Sequence, residues 1–279
     1  MAGEKPYLSL CALYKDHADY LREWIEFHRI VGVERFFLYD NESTDDHEHV
    51  LAPYVERGIV EVHHWKSPPS VERGVPWAVI DAFTDSVRRH REDSRWIGFI
   101  DIDEFLFSPA GRPLPEVLAE FEQFPGVEVS RFDFGPSGHE EKPHGLVIES
   151  YVQRRHYESP KKDWEHVKSI VDPARTDRAF NAHGFFYTEG CSVREDAEPA
   201  PQDPPGRRYF PQGQILRVNH YITKSRAEYE RKGAQWAAAG VPFPDSDQSE
   251  FFEFLSTVHD DTITMYVPAL REALSQPVG

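Results

Sequence analysis

The sequence predicts an α/β protein with a mostly parallel central sheet and helices on both of its faces. Short apolar runs typical of buried strands alternate with stretches in which apolar residues recur at helical spacing. This alternation comprises predicted strands at 8–14, 36–39, 59–62 and 96–100 and predicted helices at 21–31 and 77–87. Strands connected through helices are expected to run parallel, because the helix carries the chain back to the same end of the sheet.

Local signals support both helices of this first half. Gly32 stands directly after the apolar pattern of 21–31, where a helix C-cap belongs. The basic run 88–91 follows the pattern of 77–87 and suits the negative end of that helix. The segment 40–46 is rich in Asp, Asn and Ser, so it is predicted to be a loop.

The second half is less regular. Pro113 begins a predicted helix that extends to 124. The pair Ser225 and Glu228 has the spacing of a capping box and predicts the start of another helix. The remaining elements are predicted strands at 127–134, 146–151, 168–171 and 215–218, an acidic, proline-rich exposed loop at 195–205, and helices at 249–258 and 262–274. No convincing linker divides the chain, so we expect a single domain over residues 1–279.

Composition excludes several classes of protein. The formal net charge of −17 argues against a nucleic-acid partner, because binding phosphates along a strand needs a basic surface. Two cysteines cannot form a disulfide scaffold. The N-terminus lacks a signal-peptide pattern, and no run of about 18 apolar residues predicts a membrane-spanning segment. A cytoplasmic protein is therefore expected.

The predicted strand 96–100 is followed at once by the carboxylates of Asp101, Asp103 and Glu104. Burying unpaired charge costs several kcal/mol, so stability alone does not favour acids at this position. In open α/β sheets, ligands bind outside the carboxyl ends of the strands. An acid–X–acid motif there suits Mn²⁺ or Mg²⁺, which bind one or two carboxylates together with phosphate oxygens. The alternative interpretation is a strand end with solvated acids.

Other strand ends carry further candidates. Asp40 and Asn41 follow the second strand and could contact a nucleobase or a ribose hydroxyl, although both are also ordinary turn residues. His220 follows the run 215–218. It could share an ion with Asp103, because each residue closes an apolar strand and neighbouring parallel strands bring such ends to one edge of the sheet. Its nitrogen would favour manganese over magnesium. A purely structural histidine is the alternative. Lys168 could neutralise a diphosphate.

An ordered set of motifs gives these candidates a context. The motifs lie at 21–28 with 32–33, 39–45, 96–106, 134–139, 168–171 and 219–225. In this order, from about residue 8 to 230, the chain resembles the bacterial branch of glycosyltransferase family 92, within the GT-A superfamily. Acid–X–acid alone is a weak signal, whereas the ordered set is specific.

The resemblance implies a GT-A-type, Rossmann-like sheet and a UDP-sugar donor. It implies a manganese-like ion at Asp101 and Asp103, with His220 as a further ligand. It also implies transfer to a glycan or other hydroxyl acceptor with inversion, with galactose as the first candidate sugar. The donor half would then comprise about 1–110, and the half that binds the acceptor and completes the metal site about 111–279.

Two departures from the family pattern concern donor recognition. The family commonly has Lys-Asn-Glu after the first strand, where this chain has Lys15-Asp16-His17. The family also tends to have a glutamine early in the helix before the acids, and residues 75–87 contain none. We therefore expect contacts to the nucleobase and to the donor sugar that differ from those of other members.

The sequence does not identify the general base that an inverting transfer requires. Five carboxylates fall in plausible regions: Glu104, Glu140, Glu141, Asp163 and Glu195. Of these, we take Glu104, Asp163 and Glu195 as the three candidates. A catalytically silent nucleotide-sugar or glycan-binding protein on the same fold is the alternative function. A phosphohydrolase of the haloacid-dehalogenase type is disfavoured, because its acid–X–acid motif belongs near the N-terminus.

Overall fold

A computed structural model describes residues 5–66, 77–157, 167–201, 213–238 and 248–278. Its strands are β1 Leu8–Tyr14, β2 Arg35–Asp40, β3 Val60–His64, β4 Trp96–Phe99, β5 Glu104–Phe107, β6 Gly126–Asp133, β7 Gln153–Arg154, β8 Val167–Val171, β9 Thr176–Ala179, β10 Phe185–Tyr187, β11 Val193–Arg194, β12 Arg217–His220 and β13 Val258–His259. Its α-helices are α1 Ala18–Ile30, α2 His47–Glu56, α3 Trp77–Arg89, α4 Leu114–Leu118, α5 Val147–Ser150, α6 Arg226–Ala238, α7 Gln248–Phe254 and α8 Val267–Ser275.

Within those ranges, nine strands form one sheet in the order β3-β2-β1-β4-β8-β6-β12-β5, with β11 added beside β6. Strands β3, β2, β1 and β4 are parallel, whereas β8 runs antiparallel to both β4 and β6. Strand β12 is parallel to β6 and antiparallel to β5. The C-terminal ends of β1, β2, β4, β6 and β12 therefore share one end of the sheet, which we call the carboxyl end. The first residues of β5 and β8 lie there too.

Both faces of the sheet are covered, and β1 shows why. Alternate residues of a strand point to opposite faces. Leu10 lies in one buried cluster with Trp24 and Phe27 of α1, whereas Cys11 lies in another with Phe83 of α3. Burying an aromatic side chain such as Phe27 contributes about 1.5–3 kcal/mol. The predicted α/β class, with a mostly parallel sheet between layers of helices, is confirmed.

The predicted strand at 146–151 is wrong, because residues Val147–Ser150 form the short helix α5. The side chain of Glu149 accepts the N–H of Leu146 at 2.9 Å and closes this helical turn. Short apolar runs have no periodicity that separates a strand from a buried helix. Helix α2 and strand β5 were not predicted. Helix α2 begins with polar residues and contains Pro53, so its helical pattern is weak.

Two predicted helix-end signals are confirmed. The Ser225 Oγ accepts the N–H of Glu228 at 3.3 Å, and the Glu228 carboxylate accepts the N–H of Ser225 at 3.1 Å, which is the reciprocal capping box that begins α6. Gly32 follows α1 with a φ of +106°. The N–H of Val33 donates to the carbonyl of His28 at 2.9 Å and closes the last turn.

No helix among the described residues combines the length and the apolar character needed to cross a bilayer.

We expect Gly32→Ala to destabilise the protein more than Gly58→Ala. Both glycines follow a helix and have positive φ, so a Cβ at either position should cost about 1–2 kcal/mol. At Gly32 the added Cβ would also lie 2.5 Å from Cδ of Pro115, whereas at Gly58 no atom lies within 4 Å. Overpacking of this kind adds about 1–3 kcal/mol. Urea unfolding should resolve the difference, and equal costs would contradict this account of the α1 terminus.

Candidate active site

The acid–X–acid motif lies in a tight turn that reverses the chain from β4 into β5. The N–H of Glu104 donates to the carbonyl of Asp101 at 3.0 Å, and the N–H of Asp101 donates to Oε2 of Glu104 at 2.9 Å. The turn places the carboxylates at the carboxyl end of the sheet in different surroundings. The Asp101 side chain is 40% exposed, Asp103 is 6% exposed and Glu104 is fully buried.

Asp101 and Glu104 share a buried cation, Lys168, at the start of β8. Its Nζ lies 2.7 Å from Oδ2 of Asp101 and 3.0 Å from Oε2 of Glu104. On the other side, Nη1 of Arg131 lies 3.5 Å from Oε1 of Glu104. Burial alone would lower the pKa of Lys168, but the two carboxylates raise it above its ordinary value, so the lysine stays charged. The described contacts of Lys168 therefore hold the Asp101 and Glu104 carboxylates in place, and its role at a diphosphate stays a prediction.

Asp103, His220 and Asp133 form a second cluster beside the first. The Nδ1 of His220 lies 2.7 Å from Oδ1 of Asp133, and its Nε2 lies 3.6 Å from Oδ1 of Asp103. Burial would raise the pKa of Asp133, but Arg131 and His220 lower it to about 2, so Asp133 is ionised at neutral pH. An ionised carboxylate only accepts hydrogen bonds, so Nδ1–H donates to Asp133. In the neutral imidazole, the Nε2 lone pair then faces Asp103.

This arrangement fits a divalent ion held by Asp103 and His220. The 3.6 Å between Nε2 of His220 and Oδ1 of Asp103 is shorter than two metal–ligand bonds of about 2.0–2.2 Å each placed end to end, so one ion can bond both atoms. A carboxylate on the far nitrogen of a metal-binding histidine is also the usual support for such a ligand. Asp101, Asp103 and His220 do not, however, form a described group whose ligand atoms all lie within 4.8 Å of one another. The Asp101 carboxylate contacts Lys168 instead.

Cations also surround Asp103. The Nζ of Lys232, on α6, lies 3.2 Å from Oδ2 of Asp103. Burial acts to raise the pKa of Asp103, but Lys232, His220 and Lys224 outweigh it and hold the pKa well below its usual range. Burial and Lys224 lower the pKa of His17 to about 4, so this ring is neutral at pH 7. Lys224 and Lys232 therefore bring positive charge next to the Asp103 carboxylate in a protein that is acidic as a whole.

The predicted nucleotide-binding pair lies at the end of β2. Oδ1 of Asp40 accepts the N–H of Ser43 at 2.9 Å, and Oδ2 lies 3.5 Å from Nδ1 of His64. The N–H of Asn41 donates to the carbonyl of Tyr14 at 2.8 Å, which joins the ends of β1 and β2. The turn role that the sequence left open for Asp40 is thus present in the structure, at the carboxyl end where a nucleotide would bind.

The structure distinguishes among the three base candidates. Glu104 is buried between Lys168 and Arg131. Glu195 is also buried, where an exposed loop was predicted, and its carboxylate accepts three backbone N–H groups at 2.8–3.0 Å, from residues 214–216. These contacts argue against Glu104 and Glu195 as proton acceptors for a substrate. Asp163 lies outside the described residues, as do residues 202–205 of the predicted loop.

Sequence reasoning missed Asp133, Arg131, Lys232 and His17 as parts of the site. Asp133 and Arg131 lie on β6, where every residue is buried. The three charged residues inside such a strand, Glu128 and these two, are the signal that could have found them, because buried charges require partners. Lys232 was not assigned to the site, because it lies four residues after Glu228, a spacing that indicates an ion pair along the helix.

Replacing Lys168 should test the buried ion pairs. We expect Lys168→Met to reduce the free energy of unfolding by about 3–5 kcal/mol, because it leaves buried carboxylate charge uncompensated. Lys142→Met is the matched control, since Lys142 pairs with the exposed Asp19 and should cost about 1 kcal/mol or less. Adding Glu104→Gln to Lys168→Met should recover part of the loss. Chemical unfolding measures all three, and a Lys168→Met cost no larger than the control's would refute the assignment.

Comparison with known proteins places the chain in a family. The model of glycosyltransferase family 92 matches residues 7–192, which is more than half of the chain. A family 92 protein of Oryza sativa subsp. japonica is 36% identical over 189 residues, covering 66% of this chain and 30% of that protein. A family 92 protein of Ricinus communis is 31% identical over 198 residues, covering 68% and 33%. The chain thus spans about a third of the length of these relatives. They are plant proteins and do not test the resemblance to the bacterial branch.

Two further comparisons are weaker. Galactan beta-1,4-galactosyltransferase GALS2 of Arabidopsis thaliana is 29% identical over 107 residues, covering 37% of this chain and 20% of that protein. Among solved structures, S. aureus TarS 1–349 is 8% identical with a TM-score of 0.41, covering 98% of this chain and 75% of that chain, a likeness too low to carry an argument. The family match carries the assignment, and it agrees with the α/β sheet and with the motif at its carboxyl end. The chain belongs to glycosyltransferase family 92.

Proposed function

We propose that the chain is a metal-dependent glycosyltransferase that moves a sugar from a UDP-sugar to a hydroxyl acceptor with inversion. The observation that carries this proposal is the contact between Asp103 and His220 at the carboxyl end of the sheet, in a chain of glycosyltransferase family 92. The acceptor is a glycan or a small molecule with a free hydroxyl.

In this proposal Asp103 and His220 hold the divalent ion, and Asp133 orients His220. A bound Mn²⁺ or Mg²⁺ would stabilise negative charge on the leaving UDP. The imidazole ligand favours Mn²⁺. Two protein ligands suffice, since phosphate oxygens supply others. Asp101 lies beside this pair and contacts Lys168. Its partly exposed carboxylate is the proposed third contact to the ion or to the bound nucleotide.

Lys224 and Lys232 add positive charge next to the ion. Burial lowers the pKa of Lys224, although Asp103 acts against this shift. Lys232 already contacts the Asp103 carboxylate. Both lysines are placed to offset the charge of a diphosphate. Negative charge grows on the leaving UDP as the glycosidic bond breaks, so stabilising that charge lowers the barrier of the reaction. Asp40 and Asn41, at the end of β2, are the proposed nucleotide contacts.

Galactose is the proposed donor sugar. Its support is the similarity to galactan beta-1,4-galactosyltransferase GALS2 of Arabidopsis thaliana over 107 residues. Residues Lys15-Asp16-His17 differ from the family pattern, and they lie in the loop after β1 where a nucleobase would contact the chain. A panel of UDP-sugars with the same divalent ion would test the assignment. Preference for UDP-glucose or UDP-N-acetylglucosamine over UDP-galactose would contradict it.

UDP binding should require a divalent ion, because the diphosphate and the carboxylates are both anionic. Calorimetry should show UDP binding with Mn²⁺ that is lost in excess EDTA and in Asp103→Asn. Glu230→Gln is the matched control, since it removes one negative charge from an exposed position on α6 and should leave binding unchanged. Undiminished UDP affinity in chelator would remove the ion from the proposal.

Asp103→Ala and His220→Ala should each lower kcat steeply. The kcat of the double variant should be little lower than that of the less active single variant. Ligands that act as one unit are not additive. Asp133→Asn, which alters the carboxylate that orients His220, should weaken Mn²⁺ binding about 10–100-fold. A His220→Ala protein with full activity and unchanged Mn²⁺ affinity would leave His220 as a packing residue.

A catalytically silent binding protein is the second candidate. The observation that favours it is that the oxygens of Glu104 and Glu195 are engaged by buried partners, so neither is available as a base. Asp163 is the remaining base candidate. Tight, metal-dependent UDP binding without turnover of any donor would favour the silent protein. Turnover that is lost in Asp163→Asn while UDP affinity persists would favour the enzyme.

A further inference from the structure

A second cluster of metal-ligand side chains lies on edge strand β3, in the middle of that strand instead of at the carboxyl end. Glu61 and His63 point to the same face of β3, and the residue after α3, His90, packs against them. Their ligand atoms all lie within 4.8 Å of one another, which no other group of three carboxylate, imidazole or thiol residues does in the described part of the chain. The family motifs and the proposed transfer reaction use none of the three.

The distances in this cluster match a tetrahedral ion better than they match hydrogen bonds. The Nε2 atoms of His63 and His90 face each other at 3.4 Å, and Nε2 of His63 lies 3.4 Å from Oε1 of Glu61. Good hydrogen bonds from nitrogen span about 2.7–3.2 Å. Two ligand atoms each about 2.0–2.1 Å from a tetrahedral zinc ion lie about 3.3–3.4 Å apart.

Neighbouring residues hold His90 and Glu61 in orientation. The Nδ1 of His90 lies 2.9 Å from Oδ2 of Asp93, so a protonated Nδ1 leaves the Nε2 lone pair facing His63. The His90 ring also stacks on Phe37, with centroids 3.6 Å apart and planes within 4°. Oε2 of Glu61 accepts from Arg35 at 2.8 Å, which leaves Oε1 directed at His63. Histidine ligands in metal sites are oriented in this way by a carboxylate on the far nitrogen.

Burial keeps both imidazoles in the form that binds metal. The side chains of His63 and His90 are 13% and 2% exposed. Burial lowers the pKa of both rings, and positive charge on His90 would lower the pKa of His63 further, so the neutral form of each ring is favoured. A neutral pair can also form a single N–H···N bond, which is the competing interpretation and is decided by the experiment below.

We propose that Glu61, His63 and His90 bind one divalent transition-metal ion of the zinc type. Two imidazole nitrogens and one carboxylate oxygen are a known zinc ligand set, and nitrogen ligands disfavour Mg²⁺ and Ca²⁺. The ion would join the C-terminal end of α3 to β3, the outermost strand of the sheet. The site is independent of the proposed transferase function, because it shares no residue with the Asp103 and His220 pair.

The experiment uses the tag-free full chain carrying His220→Ala, so that the ion site at the carboxyl end does not contribute. After treatment with chelator, calorimetry with Zn²⁺ should show one equivalent bound, and Co²⁺ should give the visible bands of a four-coordinate site. His63→Gln should weaken Zn²⁺ binding by more than 100-fold, and Asp93→Asn by about 10–100-fold. His64→Gln is the matched control: it is the next residue of the same strand, its side chain is 78% exposed, and it should bind Zn²⁺ as before.

Zn²⁺ should also raise the melting temperature of the His220→Ala protein and not that of His63→Gln, because an ion that binds only the folded state stabilises it. If His63→Gln fails to fold, Glu61→Gln replaces it, since Glu61 is partly exposed. Absence of Zn²⁺ binding in the His220→Ala protein, or equal affinities in His63→Gln and His64→Gln, would overturn the proposal and leave the histidines as a hydrogen-bonded pair.

Discussion

The candidate active site depends on the pairing of charges that folding removes from water. Lys168, Glu104, Arg131 and Asp133 form a buried series in which each charge contacts an opposite one. Desolvating a charged group costs several kcal/mol, so no member of the series can be removed without leaving a neighbour uncompensated. The series crosses from β8 to β5 and then to β6, and it fixes the positions of Asp101 at one end and His220 at the other. The catalytic geometry and the stability of the sheet therefore rest on the same contacts.

Much of the first half of the fold could be predicted from local pattern. Strands β1, β2 and β4 are apolar runs, and helices α1 and α3 have clear periodicity with terminal signals. Helix α5 could not be assigned, because a run as short as Val147–Ser150 has the same composition in a strand or a helix. Strand β5 begins at Glu104, directly after the turn, so no turn signal in the sequence separates β4 from β5. Residues Glu104–Phe107 form a strand because they pair with β12, more than 100 residues later, and a local sequence pattern does not show that pairing.

The meeting of Asp103 and His220 was predicted, but for a reason that the structure corrects. The prediction assumed that the strands carrying these residues are neighbours. In the sheet, β8 and β6 separate β4 from β12, and contact arises instead because β5 returns antiparallel beside β12. Because β4, β6 and β12 are parallel, their C-terminal ends lie at the same end of the sheet, but this alone would not bring Asp103 and His220 into contact. Asp133 and Arg131 were not predicted. Their charges inside a buried strand indicate that they need partners, but local spacing does not show that these partners are Glu104 on β5 and His220 on β12.

The hydrogen bond from the N–H of Tyr221 to the carbonyl of Asp103, 2.8 Å long, has a consequence for how the site responds to motion. It joins the carbonyl of Asp103 to the peptide group that links His220 to Tyr221, one position beyond the paired ends of β5 and β12. The separation of Asp103 and His220 is then set by the spacing of hydrogen-bonded strands and not by any loop. Movement of the loops on either side therefore need not change the distance between these two residues. The conformational entropy of bringing them together was lost when the sheet formed, so binding an ion requires little further ordering of the backbone.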